Sequence, residues 1–221
     1  PGGDVAAVEG LKVALGDRAY RMRPVNHLEE IAKGLTVKGG RYWRSYITND
    51  EPIELAYGME FGPNSMAPGM IYHMQCPSGD TDLVLNNNAV LLEAVLITNC
   101  RVVIGSGTVV QSAVILSTSN SPTAISAGTA VQFGRNDQCS EGGGVQILTN
   151  GGVDFSSGVD FFGGQVIARG DVALTLGEHG MDDLSVVTAG SLYLALAGTV
   201  PFCKSEGVSD NFQFSHFRLV E

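Results

Sequence analysis

Short apolar runs alternate with Gly, Asn and Ser turns about every twenty residues from Asp82 to about Val200. The runs that open each unit are Leu83-Val84-Leu85, Val102-Val103-Ile104, Thr123-Ala124-Ile125, Val153-Asp154-Phe155, Val172-Ala173-Leu174 and Leu192-Tyr193-Leu194. Their first residues are separated by 19, 21, 30, 19 and 20 positions. A second series is Val95-Leu96-Ile97-Thr98, Val114-Ile115-Leu116-Ser117, Gln146-Ile147-Leu148-Thr149, Val166-Ile167-Ala168-Arg169 and Val186-Val187-Thr188-Ala189, with spacings of 19, 32, 20 and 20. One clock shared by both series and broken once predicts stacked units, each burying a face only against its neighbours. Sharp corners fall at Asn86-Asn87-Asn88, Gly105-Ser106-Gly107, Ser156-Ser157-Gly158 and Gly177-Glu178-His179-Gly180, because Gly and Asn tolerate the left-handed backbone that corners require. The pattern predicts a mainly β protein: a parallel, right-handed β-helix of about six coils, with Val103, Val153 and Val172 pointing inward. A sandwich also uses short strands, but its hairpins do not demand equal spacing.

Before this region the pattern changes. Val5, Val8, Leu11, Leu15 and Ala19 fall at helical spacing and predict a helix over 4–20 behind Asp4. A second short helix is predicted from Asn26 to Lys33, capped by Asn26 with Glu29 at its third position and ended by Gly34. Residues 41–61 mix aromatic and β-forming residues and predict two strands, or one strand and an irregular arm; 62–69 read as a loop. The chain divides into an N-terminal helical and irregular segment, 1–69, and a β-helix domain, 70–221. In the last stretch, Ser209 to Glu221, Phe212, Phe214, Phe217 and Leu219 alternate with polar residues. An open solenoid end is an exposed sheet edge, so this stretch and the N-terminal helix are expected to cap or cover the stack. The break in the clock lies between Phe133 and Val145 and lengthens one unit by about eleven residues. Insertions in solenoids project from one face, often the binding one.

Charge sharpens the division. The formal net charge of the 221 residues is -10, which argues against a nucleic-acid partner. Residues 1–75 hold 8 Lys/Arg and 9 Asp/Glu, whereas 76–221 hold 5 and 14. No run of about eighteen apolar residues offers a membrane-spanning helix, and no signal peptide is visible. Pro1-Gly2-Gly3 reads as the start of a processed or trimmed chain, so any membrane segment would lie upstream. The cysteines are Cys76, Cys100, Cys139 and Cys203; their spacing fits no zinc motif, and four cysteines allow three pairings. Cys76 and Cys100 end two apolar runs. If those runs are neighbouring parallel strands, their ends are about 4.8 Å apart, close to disulfide range. This favours Cys76–Cys100 and leaves Cys139–Cys203, the alternative being four buried thiols.

Candidate chemistry is sparse. Asp154, Asp160, Asp171 and Arg169, with Asp182 and Asp183, would form a glycan-active groove only if they converge with split pKa values; as solvated turn residues they need no partner. Asn136, Asp137 and Glu141 offer oxygen ligands for Ca²⁺ in the inserted loop, but match no calcium-binding spacing. The four histidines, His27, His73, His179 and His216, are scattered, and Gly142-Gly143-Gly144 lacks a strand–helix phosphate-binding context. No catalytic residue, cofactor or metal is implied. Candidate partner-binding residues are Tyr42, Trp43, Tyr46 and Tyr57, interleaved with Arg41 and Arg44, and the loop residues Arg135, Asn136 and Asp137. For the aromatic group, packing of the helical segment onto the solenoid is the competing role.

The stretches "HMQCP", "VLITNCRVVIGSG", "GRNDQCSEGGGVQI" and "FCKSEGVSDNFQFSHFRLVE" resemble the soluble C-terminal region of TadE/TadG-like proteins from alphaproteobacterial Tad (Flp) pilus-assembly loci. The resemblance spans most of 70–221. It implies a non-enzymatic structural component, periplasmic or at the cell surface, whose partners are other pilus or envelope proteins. Proteins of that group typically carry one N-terminal membrane helix, so the resemblance implies that this sequence is a trimmed soluble domain. A glycan-binding or glycan-cleaving β-helix and a self-polymerising solenoid are the alternatives.

Overall fold

In a computed structural model, residues 27–136 and 143–195 are described, with the backbone alone over 178–183. Among the described residues one helix, α1 (His27–Leu35), precedes twelve strands: β1 (Ile53–Leu55), β2 (Ile71–Met74), β3 (Asp82–Leu85), β4 (Val90–Thr98), β5 (Arg101–Ile104), β6 (Val109–Ser117), β7 (Ile125–Ala127), β8 (Val131–Gly134), β9 (Val145–Thr149), β10 (Val153–Ala168), β11 (Val172–Thr188) and β12 (Leu192–Ala195). Each strand pairs in parallel with its counterpart one coil away. The coils have three faces. β3, β5, β7 and the starts of β10 and β11 lead to β12 along the first face. The second stacks the start of β4, the start of β6, β8 and the middles of β10 and β11. The third face is the tallest, with seven layers: β1, β2, the ends of β4 and β6, β9, and the ends of β10 and β11. The protein is thus a parallel β-solenoid of about seven turns.

Alternation along each strand sends every second side chain inward. On the first face Leu83, Val102, Ile125, Val153 and Val172 form one buried column. Leu85, Ile104, Ala127, Phe155 and Leu174 form the next. Three kinds of corner keep the coils in register. Between first and second faces the chain turns through left-handed residues, Asn88 (φ 59°), Gly107 (70°), Ala130 (54°) and Gly158 (95°). Between second and third faces Glu93 (47°), Ser112 (47°) and Gly163 (72°) do the same, so the long strands β4, β6 and β10 each wrap a corner. The third corner uses hydroxyls. Thr98 Oγ1 donates to the Met74 carbonyl at 2.8 Å and accepts from the Cys100 amide at 3.0 Å. Ser117, Thr149 and Thr188 also accept from the amide two residues on, at 3.2, 3.0 and 3.0 Å. A buried corner without these bonds would leave backbone groups unsatisfied.

Several expectations shift by a residue or two. Ile125, not Thr123, continues the Leu83–Val102 column. Gln165 and Ser185, not Val166 and Val186, lie level with Gln146. Val103 faces outward between buried Val102 and Ile104. The helix runs on through Gly34, whose missing side chain lets the Tyr42 ring lie against it. The stack begins at β1, before residue 70, and 42–47 is an irregular arm. The proposed helix over 4–20 and the stretch from Ser209 lie outside the described residues.

α1 and the arm cover the flank of the third face. Leu28, Leu35 and Ile47 are buried against the outer side chains Ile71, Val95, Ile97, Val114, Leu116 and Leu148, with Tyr42, Trp43 and Tyr46 packed around them. The third face is therefore apolar on both sides, which explains the continuous runs Val95-Leu96-Ile97 and Val114-Ile115-Leu116.

Candidate functional site

The inserted segment leaves the stack at the end of β8 and rejoins it at β9, at the corner between second and third faces. Phe133 anchors its start inside the coil, stacked on Phe155 and Phe161 with ring centroids 4.9 and 5.0 Å apart. Gly134 follows at φ 84°, and a side chain there would strike the Phe162 carbonyl; only glycine fits so close a backbone approach. Arg135 and Asn136 are then exposed on the surface. Asp137 and Cys139 lie outside the described residues, as does Cys203.

Beside this exit a cleft of about 520 Å³ runs over the outside of the second face. Val109, Gln132, Asp160 and Phe162 form its floor, the corner residues Ala130, Ser157 and Gly158 form one wall, and Asn136 contributes from the insertion. The register produces the floor: Val109, Gln132 and Asp160 are level neighbours in successive coils. Phe162 follows inward-facing Phe161 and so points outward, yet only 5% of it is exposed. The Gln132 carboxamide Nε2 donates to the Gly134 carbonyl at 2.9 Å, tying the floor to the insertion. At Gly177 a methyl would lie 2.6 Å from Asp160 Oδ1, so glycine leaves room for that carboxylate. The cleft combines one carboxylate, two carboxamides and a hydroxyl with the apolar side chains of Val109 and Phe162. Its volume suits a side chain or a short segment of a partner, and its groups suit recognition by hydrogen bonding and apolar contact.

Other candidates are not drawn together. Asp154 sits on the first face, where its carboxylate accepts from the Ser156 amide at 3.0 Å. Asp160 sits on the second, and Arg169 and Asp171 at the corner between third and first faces. Asp171 accepts from the Ser191 amide at 2.7 Å, a link between coils. Among the described residues no three His, Cys, Asp or Glu side chains gather as metal ligands. His73 pairs with Glu54 at 2.8 Å on the outside of the third face.

The aromatic group divides. Tyr42, Trp43 and Tyr46 are half-buried in the flank cluster, whereas Tyr57 is 56% exposed in the turn after β1. Arg41 lies over the Tyr42 ring, 5.7 Å from its centroid, and Arg44 reaches the Gln146 carboxamide on β9. Burial lowers the Arg44 pKa, partly offset by Tyr46. Burial raises the Tyr46 pKa; Arg44 opposes the shift and Glu93 reinforces it. These side chains fix the arm to the solenoid.

Cys76 and Cys100 form a disulfide, with Cα atoms 5.3 Å apart. Met74 and Thr98 are level in paired strands, so the two cysteines leave the third face side by side. The Asn99 carboxamide completes the junction: the Cys76 amide donates to its Oδ1 at 2.7 Å, and its Nδ2 donates to the Cys76 carbonyl at 3.1 Å. Disulfides persist in oxidising compartments, which points to an extracytoplasmic setting. No helix among the described residues is long and apolar enough to cross a membrane.

Fold and cleft together define a class: a disulfide-linked parallel β-solenoid whose single long insertion borders a polar cleft. The family described as Domain of unknown function (DUF7867) matches residues 3–204, and the chain belongs to it. No curated protein and no solved structure matches the chain.

Gln132 and Phe162 carry the cleft but have no chemical motif. The available signal was the pair Phe161-Phe162 one coil after the insertion: in a strand, adjacent aromatics must point to opposite faces.

Proposed function

We propose that this protein is a non-enzymatic structural component of a bacterial Tad-type pilus or envelope assembly, at the periplasmic or outer side, acting by protein–protein contact. The observation that carries this reading is the placement of the insertion. A scaffold otherwise regular to within a few residues per coil departs from its period beside a cleft lined with groups suited to recognition. Resemblance to TadE/TadG-like sequences supplies the kind of partner: pilins and neighbouring assembly proteins. The Cys76–Cys100 bond suits the compartment.

The test is a pull-down from envelope extract with the full chain and with the double variant Asn136→Trp/Ser157→Trp, which fills the mouth of the cleft. The expected outcome is recovery of pilins or pilus-assembly proteins by the parent chain and their loss with the variant. Recovery of none above background would remove the reading. Recovery unchanged by the variant would move the contact away from the cleft.

A further inference from the structure

We propose that Arg44, Gln146 and Gln165 form a carboxylate-binding site on the outer surface of the third face, fitted to an acidic side chain of a partner protein. The starting observation is a half-buried cation without a counter-ion. Arg44 is half-buried on the arm and donates to the Gln146 carboxamide, yet no carboxylate among the described residues pairs with it. Glu93 bears instead on the Tyr46 phenol. Burial works against the Arg44 charge, and a neutral carboxamide offsets little of that penalty. One bond also leaves most of the guanidinium fork unused.

A second observation lies one coil further on. Gln165 is level with Gln146 in paired strands, about 4.8 Å away. It is 3% exposed, and its carboxamide makes no hydrogen bond among the described residues. A buried amide is normally satisfied by protein, water or a ligand. Both glutamines alternate with interior Val145, Ile147 and Val166 and so point outward. In the same outward column Val95 and Val114 are buried beneath the cover, and Ser185 follows Gln165. The column thus changes from apolar to polar at the edge of the arm, where Arg44 reaches it.

Hydrogen-bond directions select the ligand. A guanidinium only donates, so Gln146 turns Oε1 toward Arg44 and its Nε2 is left to donate elsewhere. Arg44, Gln146 and Gln165 then offer N–H groups to one region. A planar fork with a single positive charge matches a carboxylate, whose one negative charge is spread over two oxygens. Gly144 and Gly163 stand two positions before the glutamines. A methyl at either would meet nothing closer than 3.6 Å among the described residues, so room remains beside the carboxamides. One carboxylate makes too few contacts to hold a small acid tightly, so the chain that carries it must supply the rest. None of these residues lines the cleft on the second face, and the site does not depend on the contact proposed there.

Side-chain NMR of the full chain at constant ionic strength tests the site. The probe is N-acetylglutamate α-amide, with N-acetylglutamine α-amide as its neutral control and methyl phosphate as a competing anion. The Arg44 Nε–H and the Gln146 and Gln165 Nε2 resonances should move together and saturate with the acidic probe, and not with the neutral one. Arg44→Lys keeps the charge but loses the fork, and should weaken binding about tenfold. Gln165→Leu should weaken binding about fivefold, while its urea midpoint holds or rises because an unsatisfied buried amide is removed. No saturation by the acidic probe, an equal response to the neutral control, or tighter binding of methyl phosphate would overturn the proposal. So would a Gln165→Leu chain that is less stable yet binds the probe as before, since that result makes the glutamine purely structural.

Discussion

At the scale of single residues, most of the fold's specificity sits at corners. Ala130, a non-glycine residue at φ 54°, adopts a backbone that side chains disfavour, so the stacked hydrogen bonds around it must outweigh the cost. The Ala130 amide donates to the Gly158 carbonyl at 3.0 Å, and the Gly107 amide to the Thr129 carbonyl at 3.0 Å. Two phenols show how burial couples to pH. Burial raises the pKa of Tyr46. Burial also raises that of Tyr72, against a lowering hydrogen bond from the Ala67 backbone. An unfolded tyrosine ionises near pH 10. A folded pKa above that value means the neutral phenol's contribution is complete below about pH 10 and is lost as pH rises toward the folded value. The urea midpoint should therefore be flat with respect to these groups at neutral pH and fall above about pH 10. Tyr46→Phe should flatten part of that fall; an unchanged alkaline limb would contradict the assignment.

At the scale of elements, α1 and the arm after it behave as a cover for the third face. Leu35 is fully buried there and belongs to the outer cluster, separate from the solenoid interior. Leu35→Ala should cost about 2–5 kcal/mol and loosen the cover before the coils. Trp43, the single tryptophan of the chain, is half-buried beside it and reports the event. Its emission should shift to the red at a lower urea concentration than the loss of β-sheet ellipticity. Coincident transitions would mean that cover and stack unfold as one unit. The helix was legible in its capping pattern, Asn26 with Glu29 three residues on. Its seat was not: the Asn26–Lys33 and 41–61 patterns carry no record of which solenoid face they meet. Gly34 looked like a helix end because glycine usually serves there; here it makes room for the Tyr42 ring.

At the scale of the whole molecule, each coil is stabilised mainly by its neighbours, and the Cys76–Cys100 bond ties two coils covalently across a sequence separation of 24 residues. Closing a loop of that length limits the unfolded chain by about 3 kcal/mol. Reduction, or the double variant Cys76→Ser/Cys100→Ser, should lower the unfolding free energy by about that amount without changing the parallel-sheet circular dichroism. Loss of the sheet at neutral pH would show the bond to be required for the fold itself. Beyond this bond, the layers share interior columns of Leu, Val, Ile and Phe, so the long insertion is accommodated at a corner without interrupting them.

The sequence alone determined that parallel coils stack and where the period breaks, because both follow from local spacing repeated many times; it favoured the Cys76–Cys100 pairing, which the structure contains. It misplaced individual columns, such as Thr123 for Ile125, because apolar residues also lie beside the true inward position. Only the tertiary structure decided that Val103 faces out, that Tyr42, Trp43 and Tyr46 pack a flank, and that Gln132, Asp160 and Phe162 share a cleft with Asn136. Those outcomes depend on register between coils and on contacts between distant segments. A one-residue slip in register exchanges the inside of a strand for its outside, and a linear pattern does not contain that choice.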